Sequence, residues 1–344
     1  MQAILQQAAA AAASPRSRSC RPFLSCGFIC TMLSLSISTG RMSVERLGMA
    51  LSSVWDGGNA TWALSERPVL QPAWDYLRQN HESTLRSPLF PVLLSVSTYL
   101  LLVLLYTILD LLAPTWPSIR RFQIHPDHTV TWASIGNTLV LTTYNHLLYI
   151  FPAAVAQWLW RPAVPLPREA PSLAAFLFGI LGCTVIFDFQ YYLWHVLHHR
   201  VSWLYSTFHA IHHQYRQPFS LVTQYLSAWE LFSVGLWTTV DPVLLQCHCL
   251  TGWAFMVFNV WVSAEDHCGY DFPWAMHRLV PFGLWGGVLR HDIHHLHPGT
   301  NFAPFFTHWD WLAGTACAPS AKLRENECDE NNTKANGRRA DKGA

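Results

Sequence analysis

The chain has 344 residues, of which 51% are hydrophobic and 12% are charged, and that charged share is about half of what soluble domains carry. Its formal net charge of +1 provides no basic surface for a phosphate backbone, so composition argues against a nucleic-acid-binding protein. Seventeen Trp, nineteen Phe and eleven Tyr fit a protein that contacts lipid and places aromatic side chains at the membrane interfaces. Nine Cys without a CxxC pair predict free thiols rather than a disulfide framework or a zinc finger.

Residues 1–85 are predicted to form an N-terminal extension, and the sequence is compatible with more than one structure for it. Residues 1–44 contain four Arg, no acidic residue and an Ala tract, a composition similar to a mitochondrial presequence. The uncharged stretch 22–40 fits a signal-like segment or an extra helix, and a third alternative is that translation starts downstream at Met42. At the other end, the polar tail 321–344 is predicted to be disordered.

Three apolar segments are long enough to cross a bilayer, which requires about 20 apolar residues in a helix. Residues 90–109 contain no charged side chain, and residues 132–160 are charge-free with a Trp at each end. Residues 171–187 are also uncharged, and their apolar character continues into the histidine-rich region. The stretch 217–263 holds only two acidic residues and fits either two spans or one re-entrant hairpin.

Basic residues in short loops predict the orientation of these spans, because such loops stay in the cytosol. Arg120 and Arg121 follow the first span, and Arg200 and Arg216 follow the third. These loops, together with the histidines beside them, are therefore predicted to face the cytosol. Asn59 begins a glycosylation sequon ahead of the first span, which agrees with a lumenal N-terminal region.

The main signal is the pattern HxxHH, which occurs three times, at residues 195–199, 209–213 and 291–295. On a helix, residues i and i+4 share a face, so each copy presents two imidazoles in one direction. Neutral imidazole is a common ligand of Zn, Fe, Cu and Ni, and nine clustered imidazoles exceed the needs of one ion. The pattern therefore predicts two metal ions. If all three copies bind one centre they must lie on the same side of the membrane, so the apolar stretch between the second and third copies must leave that side and return to it.

The motifs WHVLHH, FHAIHH and RHDIHHLH, with SAEDHCGYDFPW before the last, resemble the membrane fatty acid hydroxylase and sterol desaturase superfamily of non-haem di-iron enzymes. The segments VSWLYSTFHAIHHQY, SAWELFS, HRLVPFG and NFAPFFTHWDWLAGT are similar to its cholesterol 25-hydroxylase branch. The resemblance covers residues 90–318 and implies an all-α, polytopic membrane helical bundle, with the catalytic domain at 86–320.

The resemblance also implies the cofactors, partners and location. Two Fe ions and O2 would hydroxylate cholesterol at C25 in the endoplasmic reticulum membrane, with electrons from NADPH through a separate reductase or cytochrome b5. The implied metal ligands are His195, His199, His209, His212, His213, His267, His291, His294 and His295. His198 and His297 belong to the motifs with less secure roles, and His277 and His308 are weaker candidates still; the remaining histidines, His81, His125, His128, His146 and His248, are predicted to be structural.

Acidic residues near the proposed ligands suggest how the imidazoles are oriented. Asp188 precedes His195 by seven residues, and two helical turns place both on one face. The hypothesis is that Asp188 accepts the second N–H of a ligand histidine and fixes its tautomer. Glu265, Asp266 and Asp292 adjoin proposed ligands and could act similarly.

The sequence is also compatible with two other functions. One is a hydroxylase or desaturase of the same superfamily that acts on another sterol or lipid. The other is a histidine-rich membrane metal transporter, which is disfavoured because transport sites usually place ionisable residues near the membrane midplane, whereas these motifs lie largely outside the apolar stretches.

Overall fold

The computed structural model describes residues 68–160 and 165–318. Within these ranges the chain is helical and has no strand, only isolated bridge pairs at Gln123 with Tyr270 and at Trp285 with Phe306. The predictions for the segment 22–40, for the sequon at Asn59 and for the tail 321–344 lie outside the described residues. In the part that is described, Cys183, Cys247, Cys249, Cys268 and Cys317 are free thiols, as predicted.

The longer helices follow one another along the chain and differ widely in length. They are α1 (Gln71–Leu85), α2 (Phe90–Leu112), α3 (Trp132–Trp160), α4 (Leu173–Arg200), α5 (Ala228–Leu244), α6 (Cys249–Asp266), α7 (Gly287–Leu296) and α8 (His308–Ala313). Helix α3 contains one π-helical turn at His146–Ile150. Single turns of helix lie at Pro117–Arg120, Ser202–Leu204, Tyr205–His209, His212–Gln214, Ser220–Gln224, Met276–Leu279 and Pro281–Gly283.

Helices α2, α3 and α4 are long and apolar enough to cross a membrane, which confirms the three predicted spans. In the most apolar window of α2 only 11% of residues are buried, and Leu101 and Leu104 are more than half exposed. A helix that presents leucine outward in this way is suited to lipid rather than water. Helix α4 begins after Ser172, whose hydroxyl accepts the Ala175 N–H, and it continues unbroken through the first histidine motif.

Helices α5 and α6 form the hairpin through which the stretch 217–263 leaves the first two histidine motifs and returns to them. They are joined by the short connection 245–248, and they contact each other and α4. This arrangement brings the chain after α6 back to the end of α4 that carries the first histidine motif. The fold is therefore an all-α bundle with apolar spanning helices and a histidine cluster, as predicted.

Helix α1 lies within the stretch 1–85 that was predicted as an extension, and it packs against residues that follow α3. Trp74 is fully buried; its indole N–H donates to the Pro167 carbonyl at 3.0 Å, and its ring packs against His248 and Trp253. Gln71 also bonds to this region, since its side-chain oxygen accepts the Ala170 N–H. Residues Gln71–Leu85 are therefore helical and packed against the part of the chain that follows α3.

An aromatic core lies beside the first histidine motif, between α4, α6 and the loops after α6 and α7. Phe187, Phe255, Val262, Trp285 and Phe305 are all buried and pack together. Phe187 stacks on Phe305 with ring centroids 5.8 Å apart, and Trp285 stacks on the same ring at 5.3 Å. This packing holds the loop that follows α7 against the cytosolic end predicted for α4.

Candidate metal centre

The nine histidines that the motifs predict as ligands converge into two groups of ring nitrogens, and within each group these atoms lie within 4.8 Å of one another. We call them the five-histidine group and the four-histidine group. The five-histidine group consists of His195, His199, His209, His213 and His294. The four-histidine group consists of His212, His267, His291 and His295.

Helical geometry explains how the second and third motifs divide between the groups, whereas the first motif contributes only to the five-histidine group. In the third motif His291 and His295 are four residues apart and share the four-histidine group, whereas His294 points to the other group. The second motif divides in the same way, with His212 separated from the pair at i and i+4. The short segment 209–214 and helix α7 therefore each lie between the two groups and contribute to both.

The ring nitrogens face each other across short distances. In the five-histidine group the Nε2 atoms of His195 and His209 are 3.0 Å apart, and those of His213 and His294 are 3.2 Å apart. In the four-histidine group the Nε2 atom of His267 lies 2.9 Å from that of His291. Two nitrogens bound at right angles to one metal, each about 2.1 Å from it, are about 3.0 Å apart. These separations fit ligands that share an ion.

The hydrogen-bond partners of the Nδ1 atoms determine which nitrogen of each ring carries the hydrogen. The Nδ1 atom of His195 donates to the Phe302 carbonyl at 2.6 Å, and that of His294 donates to the Thr300 carbonyl at 2.7 Å. His267 and His295 donate likewise to the Ser263 and Tyr215 carbonyls. A carbonyl oxygen only accepts, so Nδ1 carries the hydrogen and Nε2 presents a bare lone pair.

Converging bare lone pairs about 3 Å apart repel one another unless a cation lies between them. The donor set is entirely imidazole nitrogen, which suits Fe, Zn, Cu or Ni. The residues present therefore fit a metal ion in each group, and orientation by the Nδ1 hydrogen bonds is typical of metal-binding histidine.

Burial keeps the imidazoles neutral and able to bind metal. It lowers the pKa of His267 to about 4 and that of His294 to about 4, from an ordinary value of 6.5. Burial also lowers the pKa values of His209, His291 and His295 well below that ordinary value, and neighbouring imidazoles add to the effect. At neutral pH these rings are uncharged, which is the protonation state that metal binding requires.

We expect the metal-depleted protein to lose stability as the pH falls from about 6.5 toward about 4. In that interval the histidines of the unfolded chain bind protons while the buried histidines of the folded chain do not, so protons favour unfolding. The measurement is the unfolding temperature in detergent as a function of pH, with and without bound metal. An unfolding temperature independent of pH across this interval would contradict the lowered pKa values.

The predicted hydrogen bond from a ligand histidine to Asp188 is not formed among the described residues. Its Oδ1 atom accepts the backbone N–H groups of Phe305 and Phe306 at 2.8 and 3.0 Å, and Oδ2 accepts the Trp309 indole N–H at 2.7 Å. Asp188 is fully buried and points at this loop rather than at the imidazoles. Its effect on the centre is indirect, because the same loop carries the Phe302 carbonyl that receives the His195 N–H.

The carboxylate that does contact a proposed ligand is Glu230, which no sequence motif singles out. Its Oε1 atom lies 3.0 Å from Nδ1 of His209, and both side chains are fully buried. The available signal was that Glu230 is one of only two charged residues between positions 217 and 263.

Two other acidic candidates have different partners: Asp292 binds His125, and Glu265 accepts the Met276 N–H. For Asp266, the structure shows burial next to His267.

The less secure histidines lie outside the two groups. His198 stacks on Trp194 with centroids 3.6 Å apart and donates from Nδ1 to the Trp194 carbonyl. Unlike His212 and His294, which occupy the same position in their motifs, His198 joins neither group. His297 follows the last residue of α7 and joins neither group. His277 bonds to Asp271, and His308 packs on Trp309.

Comparisons with known proteins agree with this site. A family model described as fatty acid hydroxylase matches residues 180–315, which contain all nine histidines. Cholesterol 25-hydroxylase-like protein 2 of Danio rerio is 81% identical over 265 residues, covering 77% of this chain and 95% of that protein. Human cholesterol 25-hydroxylase is 48% identical over 255 residues, 74% of this chain and 93% of that protein. The rat enzyme of that name is 49% identical over 259 residues, 75% of this chain and 86% of that protein. No solved structure matches.

Proposed function

This chain belongs to the cholesterol 25-hydroxylase family, a branch of the fatty acid hydroxylases, and from that premise we propose that it hydroxylates cholesterol at C25. The observation that supports this proposal most strongly is the convergence of nine imidazoles into two groups at the end of a spanning helix. The chain is a membrane oxidoreductase, and a substrate that dissolves in lipid can approach such a site from the bilayer.

The metal in the proposal is iron, with one ion held by the five-histidine group and one by the four-histidine group. Two iron ions bound there would supply the reduction of O2 and the oxidation of an unactivated C–H bond. The protein's own contribution is to hold nine neutral imidazoles with their Nε2 atoms converging. Backbone carbonyls behind the rings, such as Phe302 and Thr300, orient the ligands.

Burial of these side chains also keeps bulk water away from the reacting centre. Eight of the nine histidines are buried, and His199 is intermediate. A dry centre favours hydroxylation of the substrate over side reactions of the oxidant with solvent. Tyr191 and Phe302 pack against His195, with ring centroids 5.1 and 5.8 Å from the imidazole, and they cover part of this dry region.

The electron supply and the orientation complete the proposal. The resemblance to this family implies that electrons would come from NADPH through a separate reductase or cytochrome b5. The centre would lie on the cytosolic side of the endoplasmic reticulum membrane, where such donors have access.

Asn59 would then be lumenal and glycosylated. Treatment with N-glycosidase should therefore increase the gel mobility of the wild-type protein and leave the mobility of Asn59→Gln unchanged. This comparison tests the orientation.

The position of hydroxylation can be tested with cholesterol that carries deuterium at C25. Hydroxylation at C25 replaces that deuterium with OH, so we expect the product of the wild-type protein to lose the label and gain one oxygen atom. Mass spectrometry of the sterols extracted from expressing cells makes the measurement. An oxygenated sterol that retains the deuterium would instead identify a hydroxylase of another sterol position.

A further inference from the structure

Glu230 lies directly against the five-histidine group, on the side away from the converging nitrogens. It occupies the first turn of α5, where Ser227 caps the helix by accepting the Glu230 N–H. Its Oε1 atom lies 3.0 Å from Nδ1 of His209, and both side chains have no exposed surface. The cap and the helix therefore fix the position of this carboxylate against one ring.

His209 differs in this respect from the other histidines whose Nδ1 partners the structure shows. His195, His267, His294 and His295 each donate to a neutral backbone carbonyl. A carboxylate is a stronger acceptor than a carbonyl, and a carboxylate bound to a metal-binding histidine increases the electron donation of the ring. Among the described residues, the four-histidine group has no such contact.

The burial of Glu230 gives a second reason to connect it with a cation. A fully buried carboxylate is costly unless charge or hydrogen bonds compensate it. Tyr191 donates to Oε1 at 3.4 Å, a weak contact, and Oε2 has no partner in the part of the chain that is described. No Lys or Arg is paired with Glu230 in that part. A metal ion bound to His209 would supply the missing positive charge through the ring.

We propose that Glu230 is a positioning residue that orients His209 and strengthens metal binding by the five-histidine group alone. This inference rests on the proposed function, because it requires the five histidines to bind a metal ion. The inference distinguishes the two groups. Removal of Glu230 should lower the metal affinity of the five-histidine group and leave the affinity of the four-histidine group unchanged.

The test compares metal binding by the full-length wild type, Glu230→Ala and Glu230→Gln. The probes are Fe²⁺ under anaerobic conditions, titrated against a chelator, and Co²⁺, whose visible absorption reports ligand geometry. We expect the wild type to bind two ions, and Glu230→Ala to bind one ion normally and the other about 10- to 100-fold more weakly. Glu230→Gln keeps an acceptor oxygen but loses the charge, so its weaker site should fall between these affinities.

Asp241→Asn is the matched control, because Asp241 is also a fully buried carboxylate on α5 but its partner is Gln190 rather than a histidine. The control should bind two ions with wild-type affinities. Two tightly bound ions in Glu230→Ala, or equal weakening of both ions, would overturn the inference. If Glu230→Ala fails to fold, unchanged affinities in Glu230→Gln would overturn it as well. A wild type that binds no metal would instead refute the proposed function.

Discussion

Replacement of His212 with Ala should lower the formation of hydroxylated sterol by more than about 100-fold, beyond what the loss of a supporting hydrogen bond typically costs. His212 is buried in the four-histidine group, and its Nε2 atom lies 3.2 Å from that of His267. Without it, three imidazoles remain in the group, and the metal ion there should be lost or weakly held. The measurements are the metal content of the purified variant and its sterol product.

His198→Ala is the matched control for this prediction. His198 belongs to the same repeated motif and is also buried, but it stacks on Trp194 and joins neither group. This variant should bind as much metal as the wild type, although it should unfold at a lower temperature because it loses packing. Equal metal loss in the two variants, or full activity of His212→Ala, would contradict the assignment of the groups.

Replacement of Asp188 with Ala should strongly destabilise the protein. It leaves two backbone N–H groups and one indole N–H without their acceptor. Each buried donor left unsatisfied costs about 1–3 kcal/mol, so the total is on the order of 3 kcal/mol or more. The free energy of unfolding, or the unfolding temperature in detergent, measures this loss.

Asp188→Asn separates the charge from the shape of this side chain. One amide oxygen can still accept from Phe305 and Phe306, but the amide NH2 group then faces the indole N–H of Trp309. We therefore expect a smaller loss than in Asp188→Ala. Asp127→Ala is the surface control, because Asp127 is 93% exposed and its ion pair with Arg120 contributes little. Equal stability of Asp188→Ala and Asp127→Ala would refute the proposed role of Asp188.

The repeated motif allowed much of the centre to be predicted, because helical spacing alone pairs His195 with His199 and His291 with His295. The spacing did not predict which pairs from different motifs join, since that depends on how α6 returns the chain to α4. His267 shows this dependence: no histidine pattern surrounds it, and its place in the four-histidine group comes from its position at the end of α6.

The supporting carboxylates were harder to predict, for a related reason. Asp188 is two turns from His195 on one helix, so periodicity suggested a shared face, but the loop after α7 occupies the space between them and takes the carboxylate. Glu230 lies 21 residues from His209, and only the tertiary contact of α5 with the turn at Tyr205–His209 brings them together. Distances of this kind are set by packing, which no local pattern encodes.

The most direct test of the function uses ¹⁸O2. Purified, iron-loaded protein is given cholesterol, a source of electrons and ¹⁸O2, and the sterols are analysed by mass spectrometry. We expect a hydroxylated sterol that contains one ¹⁸O atom in its new hydroxyl group, formed by the wild type and not by His212→Ala. A hydroxyl oxygen derived from water, or no oxygenated sterol from protein that holds its full metal complement, would contradict the proposed function.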